Sequence, residues 1–435
     1  MRKRLLNILF WSIISAAFIG PGTIATAAQA GNSFQFELLW ALVFSTFACL
    51  VLQEAAARLS IVSNRSLGQA IADGFGDKKN GWMVYVLIIG AIVIGSAAYQ
   101  TGNLLGAAEG ILILHPISQK ILILILGLSA GIVLFFPNIQ IIARTLGFLV
   151  FLMGFAFITT ALLMKPDFGQ IISGSFIPKM PEGSALLILG LIGTTVVPYN
   201  LFLGSGITDK TQTIKEMRFG ISVAIILGGL ISMAVLVVGT RVIGEFSFQS
   251  LSQTLSSTIG SWAVWFFAFG LFAAGFSSSI TAPLASAITA RDLFSTKHPK
   301  KWASNSLYFK LTWGMVLLIG IGFGLAGFKP IPAIIAAQAL NGLILPLISI
   351  FLWFAINNKV LMGKNSNHLG QNLAFGITVW VSLVLGFQNM VKAGFGFFKI
   401  GLPNTMGLFA GLAVFALIIT LFVALRIKKR NNHAQ

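Results

Sequence analysis

The chain has 435 residues, of which 56% are hydrophobic and 9% charged, and its mean hydropathy is +0.90. A soluble domain carries about a quarter charged residues, so the composition excludes a water-soluble enzyme or binding module and identifies an integral membrane protein. The net charge of +18 reflects topology and not nucleic-acid binding, because the basic residues sort by membrane side.

About 20 apolar residues cross a bilayer. By that measure twelve spans follow in chain order, at 7–29, 36–60, 82–109, 118–137, 142–164, 185–206, 219–241, 259–290, 307–327, 331–356, 370–388 and 404–426. With the N-terminus inside, 22 of the 29 Lys and Arg residues fall on the inner side and 7 on the outer. The positive-inside rule then places both termini in the cytoplasm, as expected of a bacterial inner (plasma) membrane protein. Met1-Arg2-Lys3-Arg4 followed by an apolar run imitates a secretory signal. The run continues through a Gly-Pro-Gly break into eleven further spans, so it reads as a retained first helix.

Span 1 is interrupted by Gly20-Pro21-Gly22-Thr23. Proline withholds a backbone donor and clashes with the preceding turn, and glycine weakens the helix further. Span 2 carries Cys49, the single cysteine, and near its inner end Glu54 and Arg58 at a spacing that suits a helical ion pair. Span 3 contributes Gln100 and Asn103, with Glu109 at its outer end as an interfacial charge. Span 6 is interrupted in turn, by Gly193-Thr194-Thr195-Val196-Val197-Pro198-Tyr199-Asn200. Span 8 holds Ser277, Ser278, Ser279 and Thr281, and span 10 holds Gln338 and Asn341. The longest hydrophilic stretches, Lys165–Gly183, Ile207–Arg218, Gly244–Ser257, Ala290–Ser306 and Asn357–Gln371, are loop-sized.

In lipid, carbonyls and amides freed by a broken helix are tolerated only where they face a cavity or a ligand. Breaks at matching positions of two halves point to a transporter's binding site. Spans 1–5 and 6–10 each open with such a break, and an odd count of five inverts the second set. The expected fold is therefore all-α, a 5+5 inverted repeat with helices 1 and 6 broken. A transporter core is expected over residues 1–365, with repeats at 7–164 and 185–356. Residues 366–435 then form peripheral helices 11 and 12 and a basic tail.

Several of these segments resemble the Nramp (natural resistance-associated macrophage protein) family of divalent-metal transporters. Gly20-Pro21-Gly22-Thr23 stands where that family has Asp-Pro-Gly-Asn, and Val197-Pro198-Tyr199-Asn200-Leu201 is similar to its Met-Pro-His-Asn-Leu. Ala273–Thr281 resembles the family's eighth-helix signature; Ala337-Gln338, Leu345-Pro346 and Asn358–Gly363 resemble tenth-helix landmarks. The resemblance covers about residues 10–365 and implies a LeuT-type fold with alternating access. It also implies a metal held by the Asp and Asn of the first motif, the Met thioether and a helix-six carbonyl. Here those positions are Gly20, Thr23, Val197 and, for the carbonyl, Thr194, while Tyr199 replaces the family's His. A helix-three carboxylate of the family corresponds to Gln100.

None of the eleven acidic residues lies mid-membrane in this topology, and His115, His298, His368 and His433 fall in loops or tails. A dehydrated divalent ion without a counter-charge faces a large desolvation cost. The site is thus expected to be neutral and polar, centred on Gly20, Pro21, Gly22, Thr23, Thr194, Val197, Pro198, Tyr199, Asn200, Gln338 and Asn341. Backbone carbonyls of Gly20 and Thr194 are the candidate metal ligands. Thr23, Tyr199 and Asn200 either line the path or cap the broken ends; Gln338 and Asn341 line it or glue helices together. Gln100, Asn103, Ser277 and Ser278 are candidate pathway residues, the serines either facing a monovalent cation or bonding back to their own helix. Three readings follow. The chain moves an inorganic cation through a remodelled site, moves a small neutral or zwitterionic solute, or keeps the fold as a non-transporting receptor. No enzyme motif, cofactor or obligate protein partner is expected; the bilayer and a small ion or solute are.

Overall fold

A computed structural model describes residues 19–75, 81–136, 139–207, 212–296, 298–397 and 405–432. The first part of span 1 (residues 7–18), and with it Arg2, Lys3 and Arg4, lies outside the described residues, as do Lys78, Lys79, Lys210, Lys297, Lys399 and His433. Every described element is helical. Span 1 continues as α1 (Pro21–Phe34), span 2 is α2 (Leu39–Ser63), span 3 is α4 (Gly81–Leu112) and span 4 is α5 (Gln119–Leu134). Span 5 is α6 (Ile139–Leu163), and span 6 is two helices, α8 (Ala185–Thr195) and α9 (Pro198–Ile207). Then come α10 (Ile214–Gly239), α12 (Trp262–Phe294), α13 (Leu307–Leu325), α14 (Pro330–Ile356), α16 (Leu369–Phe397) and α17 (Thr405–Asn432). Among the described residues ten spans are long and apolar enough to cross a membrane, α8 and α9 counting as one; α5, with 16 residues, is a shorter apolar helix.

The hydrophilic stretches are not all loop. Phe168–Phe176 folds as α7 and Phe248–Ile259 as α11, and the linker after span 2 holds α3 (Leu67–Phe75). Local capping explains two of them. The Asp167 carboxylate accepts from Gly169 N at 2.8 Å and Gln170 N at 3.3 Å. Ser247 and Ser250 cap each other's backbone reciprocally, satisfying donors that a helix start leaves open. A short α15 (Lys359–Met362), started by Asn358, turns the chain between α14 and α16.

Burial sorts the helices into centre and rim. Span 6 is 89% buried over its apolar window, whereas the corresponding part of α17 is only 17% buried and turns its apolar surface to lipid. Close packing at the centre uses backbone-to-backbone contact, the arrangement small residues permit in membranes. A Cβ on Gly193 of α8 would strike the Gln338 carbonyl of α14, and one on Gly342 of α14 would meet the Leu189 carbonyl at 2.6 Å. In the same reciprocal way Gly31 of α1 lies on the Leu236 carbonyl and Gly239 of α10 on that of Ala28.

The opposite end is tied by polar groups. Arg58 is 2% exposed, and its Nε lies 2.9 Å from Glu54 Oε1, the ion pair expected from their spacing. Its other nitrogens donate to Asn365 O at 2.5 Å and Asn367 Oδ1 at 2.6 Å. Arg218 Nε also reaches Glu54 Oε1 at 2.8 Å, so one carboxylate joins α2, the start of α10 and, through Arg58, the linker to α16.

Candidate functional site

The two breaks meet. Gly20 is extended (φ −90°, ψ 175°) and its carbonyl accepts from Thr23 N at 3.0 Å and Ile24 N at 3.3 Å as α1 begins. Pro21 sits at the first helical position, where its fixed φ fits and its missing N–H costs nothing. In span 6, α8 stops with Val196 (φ −105°, ψ 79°), whose N–H still bonds to Ile192 O at 2.9 Å. The carbonyl of Thr194 then looks for a donor at residue 198, and Pro198 has none. The chain restarts as α9, with Asn200 N bonded to Val197 O at 3.0 Å. Thr23 Oγ1 and Thr194 Oγ1 lie 3.0 Å apart, a buried hydrogen bond that joins the breaks directly.

The other residues of the expected set are buried: Val197, Tyr199, Asn200, Gln338 and Asn341 are each at most 2% exposed. Gly22 lies against the Gln338 side-chain amide, so α14 touches the first break. Asn341 presents its Oδ1 toward Gly95 of α4. Asn200 Oδ1 and Nδ2, Tyr199 Oη, Gln338 Oε1, Asn341 Nδ2, Asn103 Nδ2, Gln100 Oε1 and Ser278 Oγ make no hydrogen bond of regular geometry. An unpartnered buried polar group costs about 1–3 kcal/mol, and native interiors rarely keep one without a ligand, ion or water to answer it. Such a cluster around two broken helices is a site for something polar.

The structure places the helix-three side chain differently from the alignment. Gln100 donates Nε2 to Ser279 O at 3.0 Å and packs on Gly320 of α13, with its Oε1 buried and unbonded. Its neighbour Tyr99, absent from the expected set, faces the centre instead. It is fully buried, its ring stands edge-on to that of Tyr199 at 5.4 Å and 79°, and its hydroxyl has no hydrogen bond of regular geometry. One signal was available in the sequence: the chain has only 4 tyrosines, and two of them, Tyr99 and Tyr199, lie at mid-span rather than in the interfacial belt where membrane tyrosines gather. In α12, Ser277 bonds back to Ala274 O at 3.2 Å, Ser279 to Phe276 O at 2.7 Å and Thr281 to Ser278 O at 3.4 Å. Ser278 alone of the four points its hydroxyl at the first break, 3.7 Å from where a Cβ on Gly20 would sit.

The centre holds no charge. Among the described residues no group of three or more His, Cys, Asp or Glu is placed to hold a metal ion, and Glu109, at the outer end of α4, is bonded to Gln119 at 3.1 Å. A separate concavity of about 680 Å³ between α4, α13 and α14 is lined by Val93, Ile94, Ile319, Phe323 and Pro332, with Lys329 its one charged residue. That groove is apolar and opens toward the lipid, so the chemistry lies at the breaks.

Fold and centre together define a class: helical membrane transporters in which two interrupted helices meet halfway through the bilayer. The profile of the family described as Nramp, Natural resistance-associated macrophage protein-like, matches residues 12–392, and the chain belongs to that family. It is similar to the divalent metal cation transporter MntH of Verminephrobacter eiseniae, 25% identical over 415 residues and covering 90% of each chain. It is also similar to metal transporter Nramp6 of Arabidopsis thaliana, 27% identical over 445 residues, covering 95% of this chain and 82% of the relative. Among solved structures, a mutant of the Eremococcus coleocola manganese transporter superposes with TM-score 0.71 at 20% identity, covering 100% of this chain and 96% of that one. The nucleobase-cation-symport-1 transporter Mhp1 in a closed conformation gives TM-score 0.58 at 15% identity, with 97% and 92% covered. The fold is thus LeuT-type, and the chain is a membrane transporter.

Proposed function

We propose that this transporter moves an inorganic cation by alternating access, through a centre in which neutral oxygens replace the carboxylate. The observation that carries the reading is the buried Thr23–Thr194 hydrogen bond, beside a Thr194 carbonyl whose helical donor position is Pro198, with the Asn200 amide and the Tyr199 and Ser278 hydroxyls buried without a hydrogen bond of regular geometry. The relatives named as metal transporters support a metal ion as cargo. The donor chemistry narrows it. With Val197 where the family has a thioether, only oxygens remain, and oxygen ligands suit hard cations. Without a counter-charge at mid-membrane, the ion keeps part of its water shell or carries a single charge, since a bare divalent ion loses far more solvation than neutral dipoles return.

Helices α1 and α9 hinge at Gly20 and Val197, residues 1–365 form the moving core, and α16 and α17 stand outside it. Both termini face the cytoplasm of a bacterial inner membrane. The test is uptake into proteoliposomes of Mg²⁺, Ca²⁺, Mn²⁺ and Na⁺, each under an imposed gradient and membrane potential. Flux of a hard cation above that of Mn²⁺ supports the reading; no flux of any ion removes it. A second reading rests on Asn200 Nδ2 and Asn341 Nδ2, donors that a cation leaves unanswered. A small zwitterionic or neutral solute answers donors and acceptors together, and stabilisation by organic solutes but not by ions in a thermal-shift screen selects it.

A further inference from the structure

We infer that Tyr99 supplies, through its phenol oxygen, the substrate ligand that position 20 lacks, and that Gly20 is small so that this oxygen reaches the break. The inference deepens the cation reading above and rests on it for the identity of the cargo. A Cβ built on Gly20 would stand 3.3 Å from Tyr99 Oη and 3.7 Å from Ser278 Oγ. The place where a longer side chain at position 20 would begin is therefore already answered by two hydroxyls, one from α4 and one from α12. Both residues are buried, at 0% and 1% exposure, and neither hydroxyl makes a hydrogen bond of regular geometry.

Packing alone does not account for Tyr99. Its ring fills space against Tyr199, but phenylalanine would fill the same space without burying a hydroxyl that has no hydrogen bond of regular geometry, which a membrane interior penalises. The hydroxyl is consequently the functional part of the side chain. It faces the same space as the Tyr199 hydroxyl and Thr194, so an ion seated between the breaks meets the phenol oxygen of Tyr99 together with Ser278 Oγ and the Thr194 carbonyl. A neutral phenol polarises toward a cation without adding a fixed charge. This suits an ion that keeps part of its hydration, whose bound waters donate to such oxygens.

The experiment uses the purified full chain and two comparisons. In the first, Tyr99→Phe is titrated calorimetrically with Mg²⁺, Ca²⁺, Mn²⁺ and Na⁺ beside the wild type. Affinity for the ion the wild type prefers should fall about 10-fold or more, while the thermal midpoint holds or rises because a buried unpaired oxygen is gone. In the second, Gly20→Asp is compared with Gly20→Asp/Tyr99→Phe for Mn²⁺ binding. In the single variant the new side chain is crowded by Tyr99 Oη; the double variant frees the carboxylate and should bind Mn²⁺ about 10-fold more tightly than the single one. Wild-type affinity in Tyr99→Phe, or equal Mn²⁺ affinity in the two aspartate variants, overturns the assignment. A wild type that binds none of the four ions removes the cation reading alone, because the exchange between positions 20 and 99 is then decided by the engineered carboxylate.

Discussion

The contact between α8 and α14 allows a steric test of alternating access. Replacing Gly342 by alanine puts a methyl group 2.6 Å from the Leu189 carbonyl oxygen and 2.9 Å from Leu189 Cδ1. The side-chain atom can rotate away, but the carbonyl is fixed in its helix. Restoring an ordinary contact of about 3.5 Å requires the helices to part by about an ångström. Overpacking of that kind costs about 1–3 kcal/mol. If the contact exists only while the outer side is shut, the whole cost falls on that state, and its population drops roughly 5- to 150-fold relative to the open one. The readout is labelling of Thr26→Cys by a membrane-impermeant maleimide. Thr26 is buried on α1 and its methyl group faces Gly190 of α8. The native Cys49 is fully buried, so background labelling is low. Gly342→Ala should raise the labelling rate by about the population factor. If the contact persists in every state, the same cost appears instead as a lower thermal midpoint. An unchanged labelling rate together with an unchanged midpoint refutes the packing argument.

Three further perturbations follow from named contacts. Thr23→Val and Thr194→Val each break the 3.0 Å bond between the breaks; each should cost about 1–2 kcal/mol in thermal or denaturant unfolding, and the pair should couple by about 0.5–1.5 kcal/mol in a double-mutant cycle. Strict additivity would show the hydroxyls act independently. Arg58→Ala leaves the Asn365 carbonyl and Asn367 without their donor, and a loss of about 3–5 kcal/mol is expected from breaking so buried an ionic network. Arg58→Lys should fail to restore it, because an ammonium cannot serve the fork of contacts that a guanidinium does; full rescue by lysine would contradict that geometry. Gly20→Asp/Val197→Met returns a carboxylate and a thioether to the centre and should favour Cd²⁺ and Mn²⁺ over Mg²⁺ in competition binding, since soft donors select softer metals. Unaltered selectivity would place residue 197 away from the ion.

How much of this was legible in the sequence follows from the range of the physics involved. The breaks were, because what Pro21 and Pro198 do to a helix depends only on residues a turn away. Short helices were missed where polar composition suggested loops: α7 and α11 form because Asp167 and the Ser247–Ser250 pair cap them, and capping boxes are easily overlooked in Ser-rich stretches. The tight seams at Gly193, Gly342 and Gly239 could not be read at all. With 46 glycines in the chain, nothing local distinguishes one that faces another backbone from one that faces lipid.

Tyr99 marks the boundary most sharply. Adjacent residues on a helix point about 100° apart, so a one-residue uncertainty on span 3 decides whether a side chain meets the breaks or the α12–α13 face. A resemblance that located the family's carboxylate loosely selected Gln100, which the fold uses to brace Ser279. A centre with glycine and no carboxylate at position 20 leaves a volume and an electrostatic deficit for some other helix to meet. A long side chain from a neighbouring helix can reach position 20, and electrostatics in lipid favours an oxygen that needs no counter-ion. A tyrosine at mid-span satisfies both conditions. If Tyr99 serves position 20 as inferred, the two residues act as a pair across two helices, and the effect of a substitution at either is expected to depend on the residue at the other.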